Sequence, residues 1–495
     1  MGNSQQEGIG KVVKAGFWIY WSSIVNNITG FVYWLLITKI AGSEILGLTS
    51  ATIGLSAIIV GFINFGVLAG VQRFLGREWR RSREEFNEYF WSTFYLRLIL
   101  HILAGTVLLL LGIMGVNISN YTPEMFKLTA VLVYIATLQI FGAYFTSILR
   151  TDMLFISSLL GNIAKLAVGI GLILLGYGFT GAVIGYIFVN LSVGIIGFYH
   201  MVRNFGVSFS IRLSRVVEVV KAGMATWIPG LITMLGMWVG VLAVFGASGA
   251  VNTGYYYVAF ALFSVVSMIG ASIAQLLLPY LSGIDEGRER IASKVVSFTL
   301  VLVTPIVFLG ILYGRVPLRL LGEEYVEATP ILSVLLVSTI PLLIVSSITN
   351  LIYAIGDYRK VLFIGLFQNI PRLILYFIVV PLYHGLGAAV SFTIGSLASL
   401  PYSIAVGSGY GFKLDYRRLT LLLLIPGLAS LVVYFLGLHW LIGSLIIVMA
   451  YLVYGRLGLV SRSDLRMIAL SFVSEERLNA YYNKYRNLID LILPE

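Results

Sequence analysis

The chain is 495 residues long, 59% hydrophobic and 11% charged, with 33 Lys and Arg against 22 Asp and Glu for a formal charge of +11. Soluble domains are about a quarter charged and less than half apolar, so water is excluded as the solvent for most of this surface. The absence of cysteine excludes disulfides, iron–sulfur clusters and thiol catalysis.

Apolar runs of about 20 residues, each long enough as a helix to cross a hydrocarbon core of about 30 Å, recur along nearly the whole sequence. Fourteen are expected: 16–40, 46–70, 89–115, 126–149, 153–177, 180–202, 222–246, 253–281, 296–315, 330–355, 361–384, 387–409, 419–437 and 440–458. The first is too long and too polar for a cleaved signal peptide and is read as span one. The ten-residue alternation of a membrane barrel is missing, so the fold class is an all-α polytopic membrane protein.

Span one carries Ser22, Asn26 and Thr29 at helical spacing, a polar stripe that must face protein or water. It lines a cavity or holds helices together. The basic loop 71–88 reads as a solvated helix retained in the cytoplasm, with docking of an anionic headgroup as a secondary reading. In span three Arg97 snorkels to the inner surface or guards a cavity entrance, and His101 is a hydrogen-bonded core residue. Two glycosylation triplets, at Asn117 and Asn120, fall in an outside loop.

Lys165 in span five and Arg372 in span eleven lie near the bilayer midplane, where an isolated charge costs from about 2.5 to over 10 kcal/mol. All Asp and Glu fall in loops or tails, so no carboxylate within a span can pair with either cation. The favoured reading has both facing a wet cavity that attracts phosphate or pyrophosphate; the plain reading has them bonded to backbone carbonyls. Beside Arg372, Pro371 with Asn369 suggests a locally broken helix or an ordinary kink. The connection 203–221 reads as an amphipathic helix on the inner interface, Tyr255 to Tyr257 as an aromatic belt, and 464–491 as an interfacial helix.

With the amino terminus inside, inner loops and tails hold twenty-six of the 33 basic residues and outer loops hold four. Both termini are therefore expected in the cytoplasm, and membrane topology with anionic lipid, not nucleic acid, accounts for the surplus. No P-loop, zinc pair or nucleophile elbow occurs, so neither a cofactor nor an enzymatic centre is expected.

Compared with itself at a shift of 207, the chain matches from the first span to the fifth: Lys14-Ala15-Gly16 with Lys221-Ala222-Gly223, Gly42 and Gly47 with Gly249 and Gly254, Thr122-Pro123 with Thr329-Pro330, and Asn162 to Leu166 with Asn369 to Leu373. Duplication of a six-span unit predicts two pseudo-symmetric lobes, 1–204 and 205–410, followed by spans thirteen and fourteen (411–460) and a cytoplasmic amphipathic tail (461–495). Candidate binding residues are Lys165, Arg372, Arg97, Asn26, Ser22, Asn162 and Asn369.

Local phrases carry a family likeness. Ala41-Gly42-Ser43-Glu44-Ile45-Leu46-Gly47, Arg73-Phe74-Leu75-Gly76-Arg77-Glu78 and Leu321-Gly322-Glu323-Glu324-Tyr325 resemble those of the multidrug, oligosaccharidyl-lipid and polysaccharide exporter superfamily, in particular its polysaccharide-transporter and O-antigen flippase branch. That resemblance implies ATP-independent flipping of a polyprenyl (pyro)phosphate-linked glycan across the cell membrane. Membrane lipids and, at the cytoplasmic face, glycosyltransferases are the implied partners. The alternatives are a cation-coupled multidrug exporter of the same superfamily and a membrane enzyme acting on the lipid-linked glycan. Drug exporters usually carry acids in spans one or seven, and none is present here.

Overall fold

The computed structural model describes residues 2–209, 211–282 and 286–459, and those residues are mostly helical and contain no strand. The first half runs through α1 (Gly2–Ile63), α2 (Val67–Glu78), α3 (Arg83–Ile113), α4 (Pro123–Ala136), α5 (Ile140–Ser147), α6 (Thr151–Leu172) and α7 (Gly178–Phe205). The second comprises α8 (Leu213–Ser282), α9 (Arg288–Tyr313), α10 (Arg315–Leu321), α11 (Thr329–Val337), α12 (Thr339–Ile355) and α13 (Tyr358–Gly409). Then follow α14 (Tyr416–Phe435), α15 (Trp440–Val448) and α16 (Ala450–Arg456). Caps mark several starts: the Ser82 hydroxyl accepts from the Glu85 amide at 3.2 Å, and Asp357 and Asp415 do the same for Lys360 and Arg418.

Among the described residues nine helical stretches are long and apolar enough to cross a membrane, and four of them run for 47 to 55 residues. At 1.5 Å per residue such a stretch is at least about 70 Å long, more than twice a hydrocarbon core, so each must turn back. The turning residues are Gly42 (φ 79°, ψ 179°), the segment Gly176–Gly178, Gly249 (φ 77°, ψ −170°) and His384 (φ 50°, ψ −128°). Counting both limbs of each, with the shorter Trp440–Arg456, restores the fourteen crossings expected.

Where limbs pack, glycine lets backbones touch. A Cβ at Gly185 would sit 2.8 Å from the Gly169 Cα, and one at Gly161 would sit 2.8 Å from the Val189 Cα, so α6 and α7 form an antiparallel hairpin. The limbs of α8 are joined by Trp238 stacked on Tyr257 at 6.4 Å, and those of α13 by Phe367 on Tyr402 at 4.6 Å.

The repeat is visible in backbone conformation. Gly42 and Gly249, 207 apart, share one pair of dihedrals, and Leu149 and Gly356, also 207 apart, both have positive φ. Gly178 (φ 49°, ψ −128°) matches His384, which is 206 away. The slip has a cause: Ile173–Tyr177 is a π-helical turn, which inserts one residue into an α-helix. Beyond it the register continues at 206, pairing Gly181-Ala182 with Gly387-Ala388 and Tyr186 with Phe392.

Packing divides the chain into two compact units: the described residues up to Val258 with Leu375–Ala388, and Ala259–Ile374 with those from Ala389 on. In the first, the second limb of α1 and α2 lie antiparallel against the first limb of α8. A Cβ at Gly47 would meet the Ala250 carbonyl at 1.8 Å, at Gly61 the Met234 sulfur at 2.3 Å, and at Gly223 the Gly66 carbonyl at 2.0 Å. Gly254 faces the Ser43 carbonyl at 2.1 Å, so the Gly47–Ala250 contact recurs with the copies exchanged. An aromatic core of Phe86, Tyr89, Phe90, Phe141 and Tyr144 fills the space between α3, α5 and α7.

Several sequence expectations are corrected. The connection 203–221 is not a separate interfacial helix; α7 ends at Phe205 and α8 starts at Leu213 and continues unbroken into the span, with Arg212 and Arg215 ion-paired to Glu88 of α3. Tyr256 and Tyr257 are buried rather than belted, Tyr257 lying 4.5 Å from the Trp34 ring. Pro371 leaves α13 helical, its sole non-helical residue being His384. Loop 71–88 is only partly solvated, since Val71, Leu75 and Glu78 are buried. The expected helix 464–491 lies outside the described residues.

Candidate functional site

Lys165 projects from the middle of α6 and is 3% exposed. Its ammonium donates to Asn162 Oδ1 at 2.7 Å and lies 5.4 and 5.3 Å from the centroids of Tyr33 and Tyr186. Asn162 sits one turn earlier, its amide donating to Asn26 Oδ1 on α1 at 2.6 Å and to the Ser158 carbonyl at 2.9 Å. One turn before Asn26 the Ser22 hydroxyl is buried and makes no hydrogen bond. Tyr33 is held by donating to the Ala182 carbonyl at 2.6 Å, so the aromatic wall beside Lys165 is fixed.

Arg372 occupies the matching place on α13 and is 4% exposed. Its Nη1 donates to Asn369 Oδ1 at 3.1 Å, again the asparagine three residues earlier. Nη2 donates to the Phe392 carbonyl at 3.3 Å and to Ser396 Oγ at 3.0 Å, and the guanidinium lies 3.8 Å from the Phe392 ring centroid. Phe392 is the counterpart of Tyr186 across the slipped register. Each buried cation thus has the same support: an asparagine one turn back and an aromatic face from the following span. Cation–π contacts contribute about 0.5–2 kcal/mol and hydrogen bonds to a charge about 1.5–3 kcal/mol, together of the size needed to keep a charge at this depth.

Of the residues named from sequence, Lys165, Asn162 and Asn26 form one connected group, with Ser22 beside it on α1, and Arg372 and Asn369 form a second. Arg97 belongs to neither. Fully buried, it donates to Asn64 Oδ1 at 2.7 Å and the Ala136 carbonyl at 2.9 Å, while His101 Nδ1 meets the Arg97 carbonyl at 2.7 Å. It ties α3 to α4 and the α1–α2 turn and does not snorkel. Sequence reasoning missed Tyr33, Tyr186, Phe392 and Ser396; the shift of 206 would have flagged the Tyr186–Phe392 pair.

A second charged cluster surrounds Tyr89 at the start of α3. Its hydroxyl donates to Glu218 at 2.5 Å and accepts from Arg215 at 2.8 Å, while buried Glu88 pairs with Arg212 at 2.8 Å and Arg215 at 3.4 Å. These bonds fasten the beginning of α8 to α3. Among the described residues no group of His, Asp and Glu is placed to hold a metal ion.

Residues 12–285, more than half of the chain, match the model of a family described as polysaccharide biosynthesis protein. No curated protein matches the chain in sequence. Among solved structures, the lipid II flippase MurJ in an inward closed conformation is similar over 89% of this chain and 98% of its own, with a TM-score of 0.73 at 16% identity. An inward-facing multidrug resistance MATE family transporter of the MOP superfamily is similar over 78% and 94%, with a TM-score of 0.61 at 15% identity. A MOP superfamily transporter from Pyrococcus furiosus, described as having a binding pocket of reverse polarity, follows over 81% and 95%, with a TM-score of 0.53 at 14% identity. At these identities the structural likenesses concern the fold.

Proposed function

We propose that this chain, which belongs to the polysaccharide biosynthesis protein family, is a flippase that carries a lipid-linked glycan with an anionic phosphate or pyrophosphate from the inner to the outer leaflet. The observation that carries this reading is the matched pair of buried cations, Lys165 and Arg372, each braced by an asparagine at the middle of equivalent spans. Of the two, Lys165 uses one of its three ammonium donors on Asn162, and a phosphate is the acceptor suited to the others. The likeness to a lipid II flippase supports a lipid-linked glycan as cargo.

In this reading lobes 1–204 and 205–410 rock against each other to expose the cations first to one leaflet and then to the other. Spans thirteen and fourteen follow them in the chain, and both termini face the cytoplasm, where glycosyltransferases supply the cargo. The drug-exporter fold is shared, but spans one and seven lack the acids such exporters use, which favours an anionic cargo over a cationic one.

The test is translocation by purified protein in proteoliposomes, using a fluorescent polyprenyl pyrophosphate-linked oligosaccharide and a membrane-impermeant glycosidase to report which leaflet holds it. Protein-dependent exchange between leaflets is expected. Equal exchange in protein-free vesicles would sink the proposal, as would exchange of an uncharged lipid-linked glycan at the same rate.

A further inference from the structure

Building on the flippase reading, we infer that the two matched cations have different jobs. Lys165, together with Ser22 and Asn26, takes the anionic phosphate of the cargo while Asn162 holds Lys165 and Asn26 in place, and Arg372 is a positioning residue that clasps α13's two limbs. The difference lies in how each cation is satisfied.

The guanidinium of Arg372 is engaged by protein at both terminal nitrogens and on one face. Nη1 is used by Asn369, Nη2 by Ser396 and the Phe392 carbonyl, and one face by the Phe392 ring. Behind it a Cβ at Gly395 would lie 2.8 Å from the Arg372 Cβ and 3.1 Å from its Nε, so the following limb is pressed against the side chain. These bonds join residues 369–372 to residues 392–396, a hairpin clamp.

Lys165 is different. An ammonium carries three donors. Among the described residues it donates one hydrogen bond, to Asn162, and its other neighbours are the ring faces of Tyr33 and Tyr186, which attract the charge but accept no strong hydrogen bond. Polar groups then continue outward: the Asn162 amide reaches Asn26, an exposed residue, and one turn away stands the buried, unbonded Ser22 hydroxyl. Lysine ammonium, asparagine amide and serine hydroxyl are all donors that phosphate oxygens accept.

The second half lacks this extension. At the shift of 207 the counterparts of Ser22 and Asn26 are Pro229 and Thr233. Thr233 donates back to the Pro229 carbonyl at 3.0 Å. The serine and asparagine of span one thus have no sequence counterparts in span seven.

The experiment uses the full-length protein in detergent, with farnesyl pyrophosphate as probe and farnesol as the uncharged control, measuring affinity and the ligand-free thermal midpoint together. Lys165→Gln is expected to weaken farnesyl pyrophosphate binding about tenfold or more with a midpoint near that of the wild type, since a charge-assisted hydrogen bond is lost. Ser22→Ala and Asn26→Ala are expected to weaken it less, and neither should alter farnesol binding. Arg372→Gln is expected to lower the midpoint and leave the affinity of the folded fraction unchanged; Ser396→Ala is the milder clamp variant should Arg372→Gln fail to fold. Loss of affinity in a clamp variant at an unchanged midpoint would overturn the division of labour, as would wild-type affinity in Lys165→Gln. If the wild type binds the pyrophosphate and both cation variants weaken it equally, the flippase reading stands and the division falls. If the wild type shows no preference for farnesyl pyrophosphate over farnesol, the anionic cargo itself is wrong.

Discussion

The Tyr33 hydroxyl occupies the space that a side chain at Gly169 would need, since a Cβ built there would lie 2.1 Å from it. In the second half the contact recurs with large and small exchanged: Gly240, the counterpart of Tyr33, has the Tyr376 ring 2.8 Å from its would-be Cβ, and Tyr376 is the counterpart of Gly169. One volume is filled from opposite sides in the two halves. Tyr376 is anchored as Tyr33 is, its hydroxyl donating to the Gly236 carbonyl at 3.0 Å.

Gly169→Ala is expected to destabilise the protein by about 1–3 kcal/mol, the usual cost of overpacking, because the hydrogen bond to Ala182 keeps Tyr33 from yielding. Adding Tyr33→Phe removes the offending oxygen, and the double variant should recover part of the loss. Thermal unfolding in detergent reads both, and a silent Gly169→Ala would show that the contact is looser than described.

Gly223→Ala meets backbone rather than a side-chain tip, with the Gly66 carbonyl 2.0 Å from the new Cβ. Neither helix can give way without breaking the α2–α8 seam. Expression of folded protein is expected to collapse, whereas Gly30→Ala, with nothing within 4 Å, should express as the wild type does. Membrane-fraction yield and gel filtration separate the two outcomes.

Tyr89→Phe deletes the hydroxyl shared by Glu218 and Arg215. The loss is expected to be about 1–2 kcal/mol, at the low end for charge-assisted bonds because Glu218 is half-exposed. In a double-mutant cycle with Glu218→Gln the effects should be less than additive, and high salt should shrink the coupling. Strict additivity would separate the two residues energetically.

Asp357 lies between spans, and the Tyr410 hydroxyl donating to it at 2.7 Å, followed by the Lys360 amide at its helix cap, holds its carboxyl below the usual range. With the folded value below the unfolded one, its stabilising contribution is complete above about pH 4 and disappears as the pH falls through the folded value. The thermal midpoint of the wild type should therefore exceed that of Asp357→Asn at neutral pH, and the two should converge in stronger acid. A gap independent of pH would assign the effect to shape rather than charge.

Outward movement of a negative headgroup is favoured by an inside-negative potential at about 2.3 kcal/mol per charge per 100 mV. Flipping in proteoliposomes with an imposed potassium gradient and valinomycin should accelerate in that direction. Equal rates with the potential collapsed would mean that the charge is compensated during transport.

Much of the architecture was legible in the chain because hydropathy sees length and the repeat sees register. The fourteen spans, the turning glycines at 42 and 249, and the asparagine–cation pairs 162–165 and 369–372 all appear in the letters alone. The π-helical turn at Ile173–Tyr177 was not, since one extra residue leaves apolar character unchanged; this hid the match of Tyr186 with Phe392. Arg97 had the composition of a site residue, yet Asn64 and Ala136 absorb it into a joint between helices.

Composition, charge placement and the internal repeat by themselves determined that the chain lives in lipid, that it is all helix, and that two cations stand at equivalent places in the repeat. They do so because solvent and backbone geometry act on each segment separately. Tertiary structure alone decided what each side chain meets: which tyrosine covers Lys165, which serine closes on Arg372, and which aromatic residues are core rather than belt. Those outcomes depend on residues from other spans, 24 positions away for Ser396 and Arg372 and 223 for Trp34 and Tyr257, and a pattern read along one helix contains no information about its neighbour.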